Sequence, residues 1–331
     1  MVWVVFLVTA LAIVLAGMAL ARNANVIADR TGLGQVWVGV ILLAAVTSLP
    51  ELVTGSAAVL RGTPELATGS VFGSNMANMA LLGLLGLVYT QRRVMQSEAP
   101  GMVLTASTAI VMTALASLFI VARLEFSLGW LSIGSVALLA VLLANAFLMR
   151  GHGESTAQPD VVPLATVARA EEPPLRVAVG WFAAATVVII AAGPFLVGSA
   201  EEIAELMGVS NTFFGVLGLA MATSLPELST SVAAVRLGAI DLAVGNLFGS
   251  NVANMIILAW LDVIHVQGPL LESIDMSNAV AGMVAVLLMA VGLREMIFRT
   301  ERRRLPFDPA AAVIVAGYVL GLLLVWSAGG S

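Results

Sequence analysis

The stretch Thr-Ser-Leu-Pro-Glu-Leu occurs twice in this chain, at 47–52 and at 223–228, and both copies lie in runs apolar enough to cross a membrane. On a helix, Thr47 and Ser48 precede Glu51 by four and three positions, so the three side chains share a face; Thr223, Ser224 and Glu227 repeat the arrangement. Pro50 and Pro226 each lack an N–H and crowd the carbonyl four residues back. Each helix is therefore expected to kink or unwind over the preceding turn, freeing carbonyls around Ala44–Val46 and Ala220–Ala222. A second polar row follows each motif: Ser70, Ser74 and Asn78 at a spacing of four, then Asn246, Ser250 and Asn254. Gly69, Gly73, Gly245 and Gly249 lie beside these rows and leave room for close helix approach. Hydroxyls, amides, carbonyls and two carboxylates are hard oxygen donors, a set that suits Ca2+, Mg2+ or Na+ and not a soft transition metal.

An ionised glutamate at the centre of a span costs about 2.5–3.5 kcal/mol on insertion scales. Two in one chamber repel each other unless a cation lies between them. One divalent ion, two monovalent ions or two protons would each neutralise the pair. The empty, doubly charged chamber is too costly to carry across the membrane, so one cargo must replace another. That is the physical basis of exchange, and it needs no catalytic residue and no cofactor. The spans hold no paired-Asp or Ser-His signature of an intramembrane hydrolase, and an enzyme is not expected. A cation channel would need continuous access, which two central acids at a repeat interface do not suit. Asn75 and Asn251 read as helix packing, Glu65 and Asp241 as acids at helix starts, and Glu201, Glu202 and Glu205 as an acidic cluster outside.

The elements that hold these residues must be membrane helices. The chain has 331 residues, 60% of them hydrophobic and 11% charged, against about 25% charged in soluble domains. A span needs about 20 apolar residues, because only an internally bonded backbone tolerates lipid. Ten spans result, at approximately 2–25, 34–59, 65–88, 101–121, 128–149, 177–198, 211–235, 240–261, 277–297 and 309–327. No basic residue precedes the first, so it reads as a span and not as a cleaved signal. With the N-terminus outside, thirteen of the fifteen arginines fall on the cytoplasmic side and only Arg61 and Arg123 face out. Both termini are therefore expected outside a plasma membrane, with the lipid bilayer as partner. A net charge of −5 gives no reason to expect nucleic acid, and no protein partner can be inferred. The absence of Cys excludes disulfides and thiolate metal sites, and His152 and His265 fall in expected loops.

Shifting the sequence by 176 residues lays Gly39–Ala80 on Gly215–Ile256 without a gap, with 25 of 42 positions identical. Weaker matches upstream extend the unit to about five helices. Five is odd, so equivalent helices must cross in opposite senses. The expected fold is all-α: ten transmembrane helices as two inverted-topology five-helix repeats. The first repeat is 1–150 with the first motif, a cytoplasmic linker rich in Pro and charge runs over 151–176, and the second repeat is 177–331. The linker is too short for a folded domain.

These residues resemble the sodium/calcium exchanger branch of the cation/calcium antiporter superfamily. Its alpha-1 and alpha-2 repeats carry G-T-S-x-P-E followed by G-S-N-x-x-N; here they read VTSLPEL with GSNMANM, and ATSLPEL with GSNVANM. The resemblance implies an antiporter moving Ca2+ against Na+ through one central site open to one side at a time. It implies Glu51 and Glu227 as the shared carboxylates, and Thr47, Ser48, Thr223 and Ser224 with the carbonyls of Ala44 and Ala220 as further ligands. Ser74 and Ser250 would ligate Na+, and Asn78 and Asn254 would complete the centre. Two departures matter: Val46 and Ala222 stand where the family usually has Gly, and Asn254 stands where potassium-dependent relatives carry Asp. Exchange of H+ for Ca2+ or for another divalent ion ranks second, since proton-coupled relatives typically show G-N-x-x-E.

Overall fold

In the computed structural model, residues 1–90, 94, 100–123, 127–152, 173–206, 219–298 and 308–329 are described, and almost all of them are helical. The first helix, α1, runs over Val2–Thr31 and ends where Gly32 turns left-handed at φ 71°. The first motif lies on a broken rod: α2 (Gln35–Trp37), a π-helical stretch (Val38–Leu43), α3 (Ala44–Thr47) and α4 (Leu49–Leu60). Next come α5 (Pro64–Val88), α6 (Pro100–Ala122), a two-stranded hairpin of β1 (Ser127–Leu128) and β2 (Leu131–Ser132), and α7 (Ile133–His152). The later part comprises α8 (Leu175–Leu206), α9 (Ala220–Thr223), α10 (Leu225–Leu237), α11 (Ile240–Ile264), α12 (Leu270–Ser273), α13 (Met276–Phe298) and α14 (Pro309–Gly329).

Among the described residues, eight helical stretches are long and apolar enough to cross a membrane. They match eight of the ten expected spans. The expected span 128–149 begins later, at Ile133, because 127–132 folds into the hairpin, and its apolar stretch is the shorter Ile133–Asn145. Gly129, at φ 68°, opens the two-residue turn between Leu128 and Leu131. Buried Asp262 pins the hairpin by accepting the Ser132 N–H at 2.8 Å and joins it to the next loop through the Leu270 N–H at 2.7 Å. Of the expected span 211–235, residues 211–218 lie outside the described residues, as do most of the 151–176 linker and the side chains of Glu201 and Glu205.

Burial sorts the helices. In the most apolar window of α5, 78% of residues are buried, and in that of α11, 67%; the values for α1 and α8 are 28% and 22%. The motif-bearing α5 and α11 therefore form the centre and pack on each other, while α1, α8 and α14 turn residues such as Leu7, Leu11, Trp181, Val187, Leu323 and Trp326 outward. An exposed apolar perimeter is what lipid demands.

Glycines set how closely the centre closes. A Cβ on Gly39 would lie 2.7 Å from the Leu242 carbonyl, and one on Gly249 would lie 2.6 Å from the Val40 carbonyl. The π-helical stretch thus crosses α11 at backbone contact, as small-residue interfaces between membrane helices allow.

Candidate ion-binding site

The two proline breaks are narrower than expected. The turns Ala44–Thr47 and Ala220–Thr223 remain helical, and the irregularity is one residue wide: Ser48 sits at φ −86°, ψ 5° and Ser224 at φ −80°, ψ 7°. New helices start at Leu49 and Leu225 with proline in their first turn. Proline is tolerated there because its missing N–H would have no intrahelical partner anyway. The Ala44 carbonyl accepts the Ser48 N–H at 3.0 Å, and the Ala220 carbonyl accepts the Ser224 N–H at 2.9 Å. Each is therefore engaged, not freed, and the Ala220 carbonyl also accepts the Thr223 hydroxyl at 3.3 Å. Glu51 and Glu227 fall in the first turns of α4 and α10, where the helix dipole favours a negative charge.

The breaks aim the hydroxyls across the centre. Ser74 Oγ donates to Glu51 Oε1 at 3.3 Å, and Ser250 Oγ donates to Glu227 Oε1 at 3.2 Å. Around Ser74 gather the second motif's hydroxyls, Thr223 at 3.4 Å and Ser224 at 3.2 Å. Around Ser250 and Glu227 gather the first motif's, with Thr47 3.3 Å from Ser250 and Ser48 donating to Glu227 Oε1 at 3.4 Å. Each carboxylate is thus served by the serine of its own half and by hydroxyls related to it from the other half.

Four amides on the same two helices pair with each other. Asn78 Nδ2 donates to Asn251 Oδ1 and Asn254 Nδ2 donates to Asn75 Oδ1, both at 2.9 Å. Asn246 Oδ1 accepts a hydrogen bond from the Thr47 hydroxyl at 3.2 Å, and its Nδ2 donates to Ser231 Oγ at 3.1 Å. All the predicted side-chain ligands are buried, with Glu51 and Glu227 each 1% exposed. Four acceptor oxygens in this centre meet no hydrogen-bond donor: Glu51 Oε2, Glu227 Oε2, Asn78 Oδ1 and Asn254 Oδ1. Buried polar atoms are normally satisfied, and two carboxylates cannot satisfy each other. A hard cation fits such a donor set.

The sodium/calcium exchanger protein family matches residues 1–149 and 177–264, nearly all of both halves as far as the end of α11. The chain belongs to the sodium/calcium exchanger family. Among the relatives of this exchanger-family chain is the inner membrane protein YrbG of Escherichia coli, 28% identical over 310 residues that cover 92% of this chain and 90% of the relative. Another, the putative antiporter CaxA of Alkalimonas amylolytica, is 29% identical and covers 82% and 84%. The sodium/calcium exchanger MaX1 of Methanosarcina acetivorans is 25% identical and covers 72% and 76%. The fold is shared with the solved sodium-calcium exchanger NCX_Mj, at a TM-score of 0.71 and 20% identity over 98% of this chain and 99% of that one. The protein is therefore a multi-span membrane protein of a transporter family, not of an enzyme family.

Of the residues named from the sequence, hydrogen bonds bring together Glu51, Glu227, Thr47, Ser48, Thr223, Ser224, Ser74 and Ser250, while Asn78 and Asn254 join through Asn251 and Asn75, and the Ala44 and Ala220 carbonyls bond within their own helices. Asn75 and Asn251, read from the sequence as helix packing, do reach across to amides of the opposite helix. Each lies three positions before Asn78 or Asn254, a same-face spacing that was available to find them.

Proposed function

We propose that the chain is a secondary-active antiporter that exchanges Ca2+ for Na+ by alternating access at a central two-glutamate site. One observation carries this reading: four buried oxygens, two of them carboxylate, meet no donor among side chains of the two motifs that are otherwise hydroxyls and amides. Leaving an ionised pair there unneutralised would cost several kcal/mol per charge. One Ca2+ between Glu51 and Glu227 removes that cost, and so do two Na+ ions, but the vacant site keeps it. Cargo of one kind must therefore be replaced by the other before the protein changes its facing.

In this reading Thr47, Ser48, Thr223 and Ser224, with the carbonyls of Ala44 and Ala220, supply neutral oxygens. Ser74 and Ser250 serve Na+, and Asn78 and Asn254 complete the centre. The transported ions are substrates, and no resident cofactor enters the cycle. The halves 1–150 and 177–331, joined by the 151–176 linker, act as inverted five-helix repeats in a ten-span chain. Matched bonds support this reading: Asn78 to Asn251 answers Asn254 to Asn75, and Ser74 to Glu51 answers Ser250 to Glu227. The arginine distribution supports external termini.

The deciding experiment compares Ca2+ uptake into proteoliposomes driven by outward gradients of Na+, K+ or H+. Uptake that follows Na+ alone supports the proposal, and uptake that follows the proton gradient overturns the choice of Na+. Single-channel currents would overturn the antiport mechanism itself. Because the chain has no Cys, single cysteines placed at each end can report sidedness without background labelling.

A further inference from the structure

The two ligand amides raise a problem that the carboxylates do not. A side-chain amide has an oxygen at one end and an NH2 at the other, almost identical in size. Only the oxygen attracts a cation, and the NH2 protons repel it. Shape alone cannot decide which end of Asn78 or Asn254 faces the ions. A bond must.

We propose that Asn75 and Asn251 are positioning residues that lock the amides of Asn254 and Asn78 with oxygen toward the transported ions. The proposal rests on the reading above that Asn78 and Asn254 are ligands. Asn254 Nδ2 is committed to Asn75 Oδ1 and Asn78 Nδ2 to Asn251 Oδ1, both at 2.9 Å. All four side chains are 0–1% exposed, so no bulk water competes for those bonds. With each nitrogen held, the Oδ1 atoms of Asn78 and Asn254 are the ends left without a donor. Turning either amide over would break a buried bond, set oxygen against oxygen in the clasp, and present NH2 to the cation.

The clasps cross between the halves. Asn75 sits on α5 beside Asn78 but holds Asn254 of α11, and Asn251 sits on α11 beside Asn254 but holds Asn78 of α5. One clasp has a further partner: Asn75 Nδ2 donates to Thr113 Oγ1 on α6 at 3.3 Å, which ties Asn75 to a third helix. At the corresponding position 176 residues on, the chain has Met289, and Asn251 Nδ2 has no partner. The outer partners of metal ligands act in this way in general, by orienting the ligand and setting its affinity.

The test uses the full chain purified in detergent and Ca2+ alone as the probe, with affinity read from Ca2+-dependent thermal stabilisation so that turnover is not required. Asn75→Ala should weaken Ca2+ binding about 10- to 100-fold, the usual loss when such a partner is removed. Asp has oxygen at both ends and cannot be misoriented, so in an Asn254→Asp background the same Asn75→Ala change should no longer weaken Ca2+ binding. Asn251→Ala with Asn78→Asp forms a second, independent pair should the first fold poorly. Equal losses in both backgrounds would mean packing and would overturn the proposal, as would an Asn75→Ala protein with normal affinity. Asn254→Ala separates the two levels. If it weakens Ca2+ while Asn75→Ala does not, the clasp is wrong and the ion site stands. If Asn254→Ala has no effect, the ligand reading itself fails.

Discussion

Ser48 donates its hydroxyl to Glu227 Oε1 at 3.4 Å, although 179 positions separate them in the chain. The serine at the break of one motif thus donates to the acid of the other, so in the proposed antiporter neither half holds a complete site. Exchange of access between two sides is natural in such an arrangement, since moving one half against the other changes every ligand set at once.

The serine hydroxyls that donate to the acids should matter individually. Ser74→Ala removes a donor from Glu51, and Ser250→Ala removes one from Glu227. A hydrogen bond to a charged group contributes about 1.5–3 kcal/mol, so half-saturating Na+ should rise about 10-fold or more in each variant. Na+-dependent Ca2+ uptake measures it, and an unchanged Na+ curve contradicts the role of that serine.

Acid should inhibit by competition. Protons and cations seek the same carboxylate oxygens, so lowering pH equally on both sides should raise half-saturating Ca2+ and leave the rate at saturating Ca2+ largely intact. A fall in maximal rate with unchanged half-saturation would place the inhibiting proton elsewhere.

The crossing of the π-helical stretch over α11 admits no side chain. Gly249→Ala would put a Cβ 2.6 Å from the Val40 carbonyl, a backbone atom that cannot swing away, and should cost about 1–3 kcal/mol of stability. Gly180→Ala, with nothing within 4 Å of its added carbon, is the control and should be neutral or stabilising. Thermal unfolding of both variants tests this, and an equally stable Gly249→Ala protein contradicts it.

Asp275 makes stability depend on pH at the start of α13. Its Oδ1 accepts the Ser277 N–H at 2.7 Å, and bonding from Ser277 holds this exposed carboxyl below its ordinary range. A depressed carboxyl stabilises above its unfolded pKa and loses that contribution as pH falls through the lower folded value. Asp275→Ala should cost about 1 kcal/mol at neutral pH, and the difference from the parent should shrink below about pH 4. A pH-independent difference contradicts the cap.

Much of the centre was legible because the sequence states it twice. The 176-residue register identified Glu51 with Glu227, Ser74 with Ser250 and Asn78 with Asn254, and oxygen chemistry followed from residue type alone. Less visible was what depends on three-dimensional crossing. The π-helical stretch Val38–Leu43 has no composition that marks it, and Pro50 and Pro226 pointed to a wider unwinding than the single residues Ser48 and Ser224 provide. The hairpin at 127–132 was hidden because its fixing point, Asp262, lies 130 residues away from Ser132. The spacing of Asn75 and Asn251 places each on the face of its ligand neighbour, but periodicity does not reveal the amide that each meets on another helix.

Ca2+ uptake into Na+-loaded proteoliposomes by Glu51→Gln and by Glu227→Gln tests the central claim most directly. Gln keeps the shape and removes the charge, so each variant should fold and yet lose nearly all uptake, because one remaining carboxylate cannot neutralise Ca2+. Normal uptake by either variant would contradict a site in which both acids share the cargo.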